Sequence, residues 1–181
     1  MSARPTMVPR VLDRVVLRRL RSSDLADFQA YRHDPGLGLY QGWEPMSDGQ
    51  ALAFLRDVQS SPLLRPGHWS QIAIADPRSL RLLGDIGLFV NDAQRHAEIG
   101  FTLARAHQGR GLATEAVRGA IDLVFEHTGV GRVQAVTDTR NTASIRLLER
   151  VGLSLASTSE AIFRGEPCTE HTFVMDRPTG A

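Results

Sequence analysis

Chemistry concentrates in the segment Gln108-Gly109-Arg110-Gly111-Leu112-Ala113-Thr114. Two glycines one residue apart, leading into a helix-forming run, let backbone N–H groups approach an anion closely. A helix beginning there adds unpaired donors and a partial positive charge. A pyrophosphate fits such a turn, and Arg105 and Arg110 would add charge-assisted bonds. A tight strand-to-helix turn with no ligand would use the same glycines. Two other phosphate motifs fail on the letters. A dinucleotide fingerprint needs Gly or Ala three places after Gly111, where Thr114 stands, and a P-loop needs lysine, whereas all 21 basic residues are arginine. The surviving pattern is Gln/Arg-x-x-Gly-x-Gly/Ala, met by Gln108, Gly111 and Ala113.

Other reactive residue types are scattered. The six histidines never fall at metal-ligand spacing, so no metal site is expected. Cys168 is the one cysteine, which excludes an intramolecular disulfide and a multi-cysteine metal site. Asn141 precedes a helical pattern and reads as its N-cap, with Ser144 where a cap would meet it.

The elements that position these residues follow from periodicity. A β-rich run covers residues 14–20, and Ser22-Ser23-Asp24 opens a helix that Asp34-Pro35-Gly36 stops. Ser47 with Gln50 forms a capping box for a second helix that ends near Pro62. Residues 69–75, 82–90 and 97–103 read as an antiparallel meander. An amphipathic helix spans residues 112–127, with Ala113, Ala116, Val117, Ala120, Ile121 and Val124 on one face and Arg118 able to pair with Asp122. Gly129 ends it. A strand over 132–137, a helix over 141–151 stopped by Gly152, and a hairpin of residues 153–163 and 169–175 complete the chain. The strand–helix–strand unit over 98–137 should be parallel.

Composition agrees with one α/β domain. The chain has 181 residues, 42% of them hydrophobic and 23% charged, which excludes a disordered or collagen-like polymer. Residues 1–10 read as a flexible arm, 11–177 as the domain and 178–181 as a short tail. A net charge of +1 argues against a nucleic-acid-coating protein. No apolar run approaches the ~20 residues of a membrane span, and the N-terminus has no secretory apolar core, so a cytoplasmic protein without a membrane partner is expected.

In these motifs the sequence resembles the GCN5-related N-acetyltransferase (GNAT) superfamily and, more narrowly, its RimJ/RimL-like group of ribosomal-protein N-terminal acetyltransferases. The residues that carry the resemblance are Val16–Leu20, Gly42-Trp43-Glu44-Pro45, Ala97–Leu103, Gln108–Ala116 and Asn141–Gly152. It covers nearly the whole domain, and several motifs occur in the right order.

The resemblance implies a mixed, mostly antiparallel sheet with a parallel strand pair splayed around acetyl-CoA and about four flanking helices. It implies acetyl-CoA as co-substrate, without metal, and direct attack of a primary amine on the thioester. Phe101, Thr102 and Leu103 would offer backbone groups to the pantetheine arm. Gln108, Gly109, Arg110, Gly111, Leu112, Ala113 and Thr114 would hold the pyrophosphate, and Asn141 would bond the pantetheine region. Glu98 matches a family glutamate near the amine site and is the candidate base, ahead of His96 and His107. Ser144 is the candidate acid, because Val174 or Met175 stands where a family tyrosine is often proposed. Tyr40 and Trp43 would wall the acceptor pocket, although aromatic residues between helices also serve as core. The expected partner is an amine acceptor, either a protein N-terminus or a small molecule, with no nucleic acid; the enzyme would be a monomer or homodimer. A non-catalytic acyl-CoA-binding module on the same fold is the rival reading.

Overall fold

The structure, a computed structural model, describes residues 6–179. Residues 1–5 of the expected arm and 180–181 of the tail lie outside the described residues. Eight strands form one sheet: β1 (Arg10–Val11), β2 (Val16–Arg19), β3 (Trp69–Ala75), β4 (Leu82–Val90), β5 (His96–Leu103), β6 (Arg132–Asp138), β7 (Ser154–Phe163) and β8 (Glu166–Asp176). Their order is β1-β2-β3-β4-β5-β6-β8-β7. Every neighbouring pair is antiparallel except β5–β6, which is parallel as the crossover predicts.

That parallel pair is short. It holds only His96↔Arg132, Ala97↔Val133 and Glu98↔Gln134, after which the two strands part. On its other side β5 stays paired to β4 along its length, from Val90↔Ala97 to Gly84↔Leu103. The sheet is therefore forked between β5 and β6.

The alternation of the strands sorts their side chains onto two faces. Ile72, Ile86, Leu88, Ala97 and Ile99 join the larger core cluster with α4 (Leu112–His127). The opposite face carries Leu20, Ala73 and Leu82, covered by α1 (Leu25–Arg32) and α3 (Asp48–Ser60) through Phe28, Tyr31, Leu55 and Val58. A single turn, α2 (Pro35–Gly38), and α5 (Thr142–Val151) complete the helices.

Several local expectations change. Within the segment read as an arm, Met7 and Val8 pack against the core and Arg10 opens β1. Asp34-Pro35-Gly36 ends α1 but also starts α2, because the Asp34 carboxylate accepts from the N–H groups of Gly36 and Leu37. The α4 helix ends at His127 as expected, and its C-cap is Thr128, whose hydroxyl bonds the Val124 carbonyl, with Gly129 following. Arg118 donates to the Arg150 carbonyl instead of pairing with Asp122, which faces Arg10 at 4.0 Å. The final hairpin is longer than its apolar pattern indicates, since its tip continues the pairing down to Phe163↔Glu166.

Candidate active site

The three long helices after α1 differ at their N-termini. Ser47 caps α3 through Gln50 N–H, and Asn141 caps α5 by accepting from Ser144 N–H at 3.3 Å. The α4 helix starts at Gly111, which has no side chain to cap with, and its first intrahelical bond is Glu115 N–H to Gly111 C=O. The N–H groups of Leu112, Ala113 and Thr114 precede that bond and have no helical partner. Gly109 and Gly111 have φ of +72° and +74°, a left-handed backbone that glycine adopts without strain. The turn thus leaves three aligned donors and a helix dipole facing outward.

An arginine that sequence reasoning missed holds this turn. Arg14 binds Glu115 through its backbone N–H and its Nε, both at 2.8 Å, and donates to the Arg110 carbonyl at 2.8 Å and the Gly111 carbonyl at 3.4 Å. With these carbonyls drawn toward the guanidinium, the turn's amides are left for an anion. The contact spans about a hundred positions of sequence, so no local pattern could signal it.

A cleft of about 1120 Å³ runs from this turn into the fork, with Arg14, Arg118, Arg146 and Arg150 at its helical end. Of the expected residues, Tyr40, Phe101, Thr102, Leu103, Gln108, Gly109, Gly111, Leu112, Ala113, Thr114, Asn141 and Ser144 all line it. Three expected site residues are not in its lining. Arg110 is exposed and contributes a carbonyl to Arg14; Trp43 lies behind Thr102; Glu98 lies on the far face of β5. Arg105, expected on a phosphate, makes a two-point ion pair with Asp34 at 2.9 and 3.0 Å. That pair holds the Asp34 carboxyl below its ordinary value and the Arg105 guanidinium above its own.

The backbone of β5 is divided between its neighbours. Ala104 N–H bonds Leu83 C=O, so antiparallel alternation turns the polar groups of Gly100 and Thr102 toward β4. Those of Ile99, Phe101 and Leu103 then face the fork. Two of these carbonyls carry side-chain donors: Gln41 on Phe101 at 3.2 Å and Gln108 on Leu103 at 2.9 Å. Of the three expected contact residues, Phe101 and Leu103 therefore present backbone groups to the fork, while Thr102 offers only its side chain, which accepts from the Trp43 indole at 3.3 Å.

Trp43 is held from below. The Arg32 guanidinium lies 4.4 Å from its ring and 4.7 Å from that of Phe28. Arg32 and Asp85 are both almost fully buried and paired at 2.6 Å, and Asp85 also accepts from Tyr31 Oη at 2.5 Å and Gln71 at 3.0 Å. Burial and the adjacent Asp85 charge push the Tyr31 phenol well up. This network fixes α1 to the sheet beside the fork.

Across the far face the register forms rows. Trp69, Phe89, Glu98 and Gln134 lie in one row, and Gln71, Gly87 and Gly100 in the next. Glu98 is half-buried, with Gln134 Nε2 at 3.5 Å from its carboxylate. Beside Gly100, at the fork, a Cβ would meet no atom within 4 Å. The fork thus opens on two sides, to the anion turn and to this face.

A forked sheet leading to an uncapped helix N-terminus forms a cleft that can take an elongated ligand with an anionic end. Comparison with known proteins gives the class. The chain belongs to the GNAT acetyltransferase family: residues 14–154 match the model of the acetyltransferase (GNAT) domain. It is 30% identical over 154 residues to the uncharacterized N-acetyltransferase p20 of Bacillus licheniformis, covering 84% of this chain and 83% of that one. Among solved structures it superposes on a GNAT-family acetyltransferase from Bacillus anthracis with a TM-score of 0.81, at 17% identity over 92% of this chain and 96% of that chain. A ribosomal L7/L12 α-N-protein acetyltransferase, RimL, in complex with coenzyme A gives 0.77 at 14% identity over 93% and 97%. A spermidine N-acetyltransferase from Vibrio cholerae in complex with CoA and spermine gives 0.75 at 20% over 90% and 95%. The protein is a GNAT acetyltransferase that acts on amines with acetyl-CoA as donor. Among the described residues no cluster of three metal-ligating side chains occurs, and no helix is long and apolar enough to cross a membrane.

Proposed function

We propose that the enzyme acetylates the α-amine of a protein or peptide N-terminus, as a cytoplasmic enzyme. The observation that carries this reading is the open side of the fork. Gly100 has no atom within 4 Å of where a Cβ would stand, and Trp69, whose ring lies against the paired Gly87, is 54% exposed, which supports an acceptor side that admits the end of a chain rather than a closed pocket.

In this reading the pyrophosphate of acetyl-CoA lies on the Leu112–Thr114 amides, with Arg14 and the arginines of α4 and α5 around it. The pantetheine follows the fork-facing groups of β5, displacing the Gln41 side chain from the Phe101 carbonyl. The Phe101 N–H polarises the thioester oxygen. Glu98, facing the acceptor side, takes one proton from the ammonium through water. The neutral nitrogen then attacks the carbonyl carbon. As the C–N bond forms and the C–S bond breaks, the nitrogen's second proton passes to water, the departing thiolate takes a proton from Ser144, which lines the cleft, and the Ser144 hydroxyl recovers its proton from that water.

Thiol release measured on a panel of N-terminal peptides, with small amines as comparison, tests the reading. Glu98→Gln should lower kcat by about a hundredfold or more at neutral pH and leave the Kd for CoA unchanged. Turnover of small amines with none of any peptide would overturn the proposal.

A further inference from the structure

We infer that the enzyme selects an acceptor whose amine-bearing residue has an aromatic or large apolar side chain, and that Trp69 is the residue that reads it. This inference rests on the N-terminal acetyltransferase reading and specifies its substrate. The Gln71, Gly87 and Gly100 row is the floor of a trough that crosses β3, β4 and β5 and ends at the fork. At Gly87 the floor is covered by the Gln71 side-chain oxygen and the Trp69 ring, 3.1 and 3.2 Å from where a Cβ would stand, and at Gly100 it is open, with no atom within 4 Å of that position. On one side stands the Trp69–Phe89 pair, with ring centroids 5.5 Å apart. On the other stand Asp85 and Thr102, roofed by Tyr31 and Trp43.

The Trp69 ring leans over the floor: a Cβ on Gly87 would lie 3.2 Å from its edge. Gly87 pairs directly with Gly100, so their Cα atoms stand about 5.5 Å apart. An amine poised above Gly100 therefore has an aromatic surface within reach of the first side chain of its own residue. Trp69 is 54% exposed, a large apolar area left uncovered beside the acceptor entrance.

The charges select further. Glu98, in register with Phe89 and bonded among the described residues only to Gln134 at 3.5 Å, is the carboxylate available beside Gly100, since Asp85 is bound to Arg32, Tyr31 and Gln71. One carboxylate suits one ammonium. Arg164 donates to the Gln41 and Trp43 carbonyls and places a positive charge beside the acceptor loop, whereas the charge of Arg140, 5.7 Å from the Tyr40 ring, is matched by Asp138 at 2.7 Å. A polycation such as spermidine meets repulsion there, whereas a single α-amine on an uncharged residue does not.

Calorimetric titration of the CoA-bound protein with the peptides Phe-Gly-Gly and Ser-Gly-Gly tests this, together with spermidine and with thiol release from acetyl-CoA. We expect Phe-Gly-Gly to bind about tenfold more tightly than Ser-Gly-Gly. The ratio should fall to near one in Trp69→Ala, return in Trp69→Phe, and leave the Kd for CoA unchanged throughout. Equal binding of the two peptides, a ratio that survives Trp69→Ala, or tighter binding of spermidine overturns the inference. Selective binding of Phe-Gly-Gly without thiol release would uphold the trough and overturn the N-terminal acetyltransferase reading, so the two fail separately.

Discussion

Gly109→Ala and Gly111→Ala separate the backbone and side-chain demands of the anion turn. Both glycines have left-handed φ, which costs an L-residue roughly 1–2 kcal/mol. At Gly109 the new methyl group meets nothing within 4 Å, so the backbone term stands alone. At Gly111 it meets the Arg14 guanidinium at 3.2 Å and pushes it off the Arg110 carbonyl, adding about 1 kcal/mol for the weakened bonds. The cost appears in one of two places. If the strained turn persists in the free protein, stability falls, and each kcal/mol lowers Tm by about 2–4 °C in a domain of this size. If the free turn relaxes, CoA must restore it, and Kd rises about tenfold per 1.4 kcal/mol. The sum of the two losses should be about 1–2 kcal/mol for Gly109→Ala and 2–3 for Gly111→Ala. Differential scanning calorimetry and CoA titration on the same samples measure both. An Arg14→Ala background should bring Gly111→Ala down to the Gly109→Ala value. Summed losses below about 0.5 kcal/mol at Gly109, or no coupling between Gly111 and Arg14, would refute the reasoning.

Three further outcomes are expected. Asp85→Asn leaves Arg32 buried with no counter-charge and should destabilise the protein by about 3–5 kcal/mol in urea titration; a loss under 1 kcal/mol would contradict the buried network. Asp34 and Asp138 have carboxyls lowered first of all by hydrogen bonds from Arg105 and Arg140, so the unfolded chain binds more protons in acid. Their stabilisation is present above about pH 4 and lost as pH falls through the lowered values; Arg105→Gln with Arg140→Gln should flatten the fall in urea midpoint between pH 5 and 2, and an unchanged slope would be the contrary result. Because the chain has no lysine, prolonged incubation with acetyl-CoA should add at most one amine-linked acetyl group by intact-mass spectrometry, and several would refute that expectation.

Where structure follows local pattern, the sequence was readable. The strands Trp69–Ala75 and Leu82–Val90 and the helix Leu112–His127 match their expected bounds, because turn residues and a clear period mark both ends. The Gly109–Thr114 turn was legible for the same reason, since glycine spacing before an apolar helix is a local signal. What escaped depends on distant contacts. Nothing near Arg14 announces Glu115, and nothing in Tyr31-Arg32 announces an aspartate on β4. Charge alone points Arg105 at a phosphate and cannot foresee Asp34 as a competitor. The placement of Glu98 and Ser144 on different sides of the fork follows from strand alternation around a splay whose end point no residue encodes.

Only three residue pairs join the two parts of the sheet along β5 and β6. A thioester carrier lying in the gap, as proposed above, would supply rungs that the chain itself does not and so act as a removable strand. At a hundredfold excess over its Kd, such a ligand adds about 2.7 kcal/mol to the folded state. Opening of the sheet by a protease should therefore be about a hundredfold rarer at that excess of acetyl-CoA than in its absence.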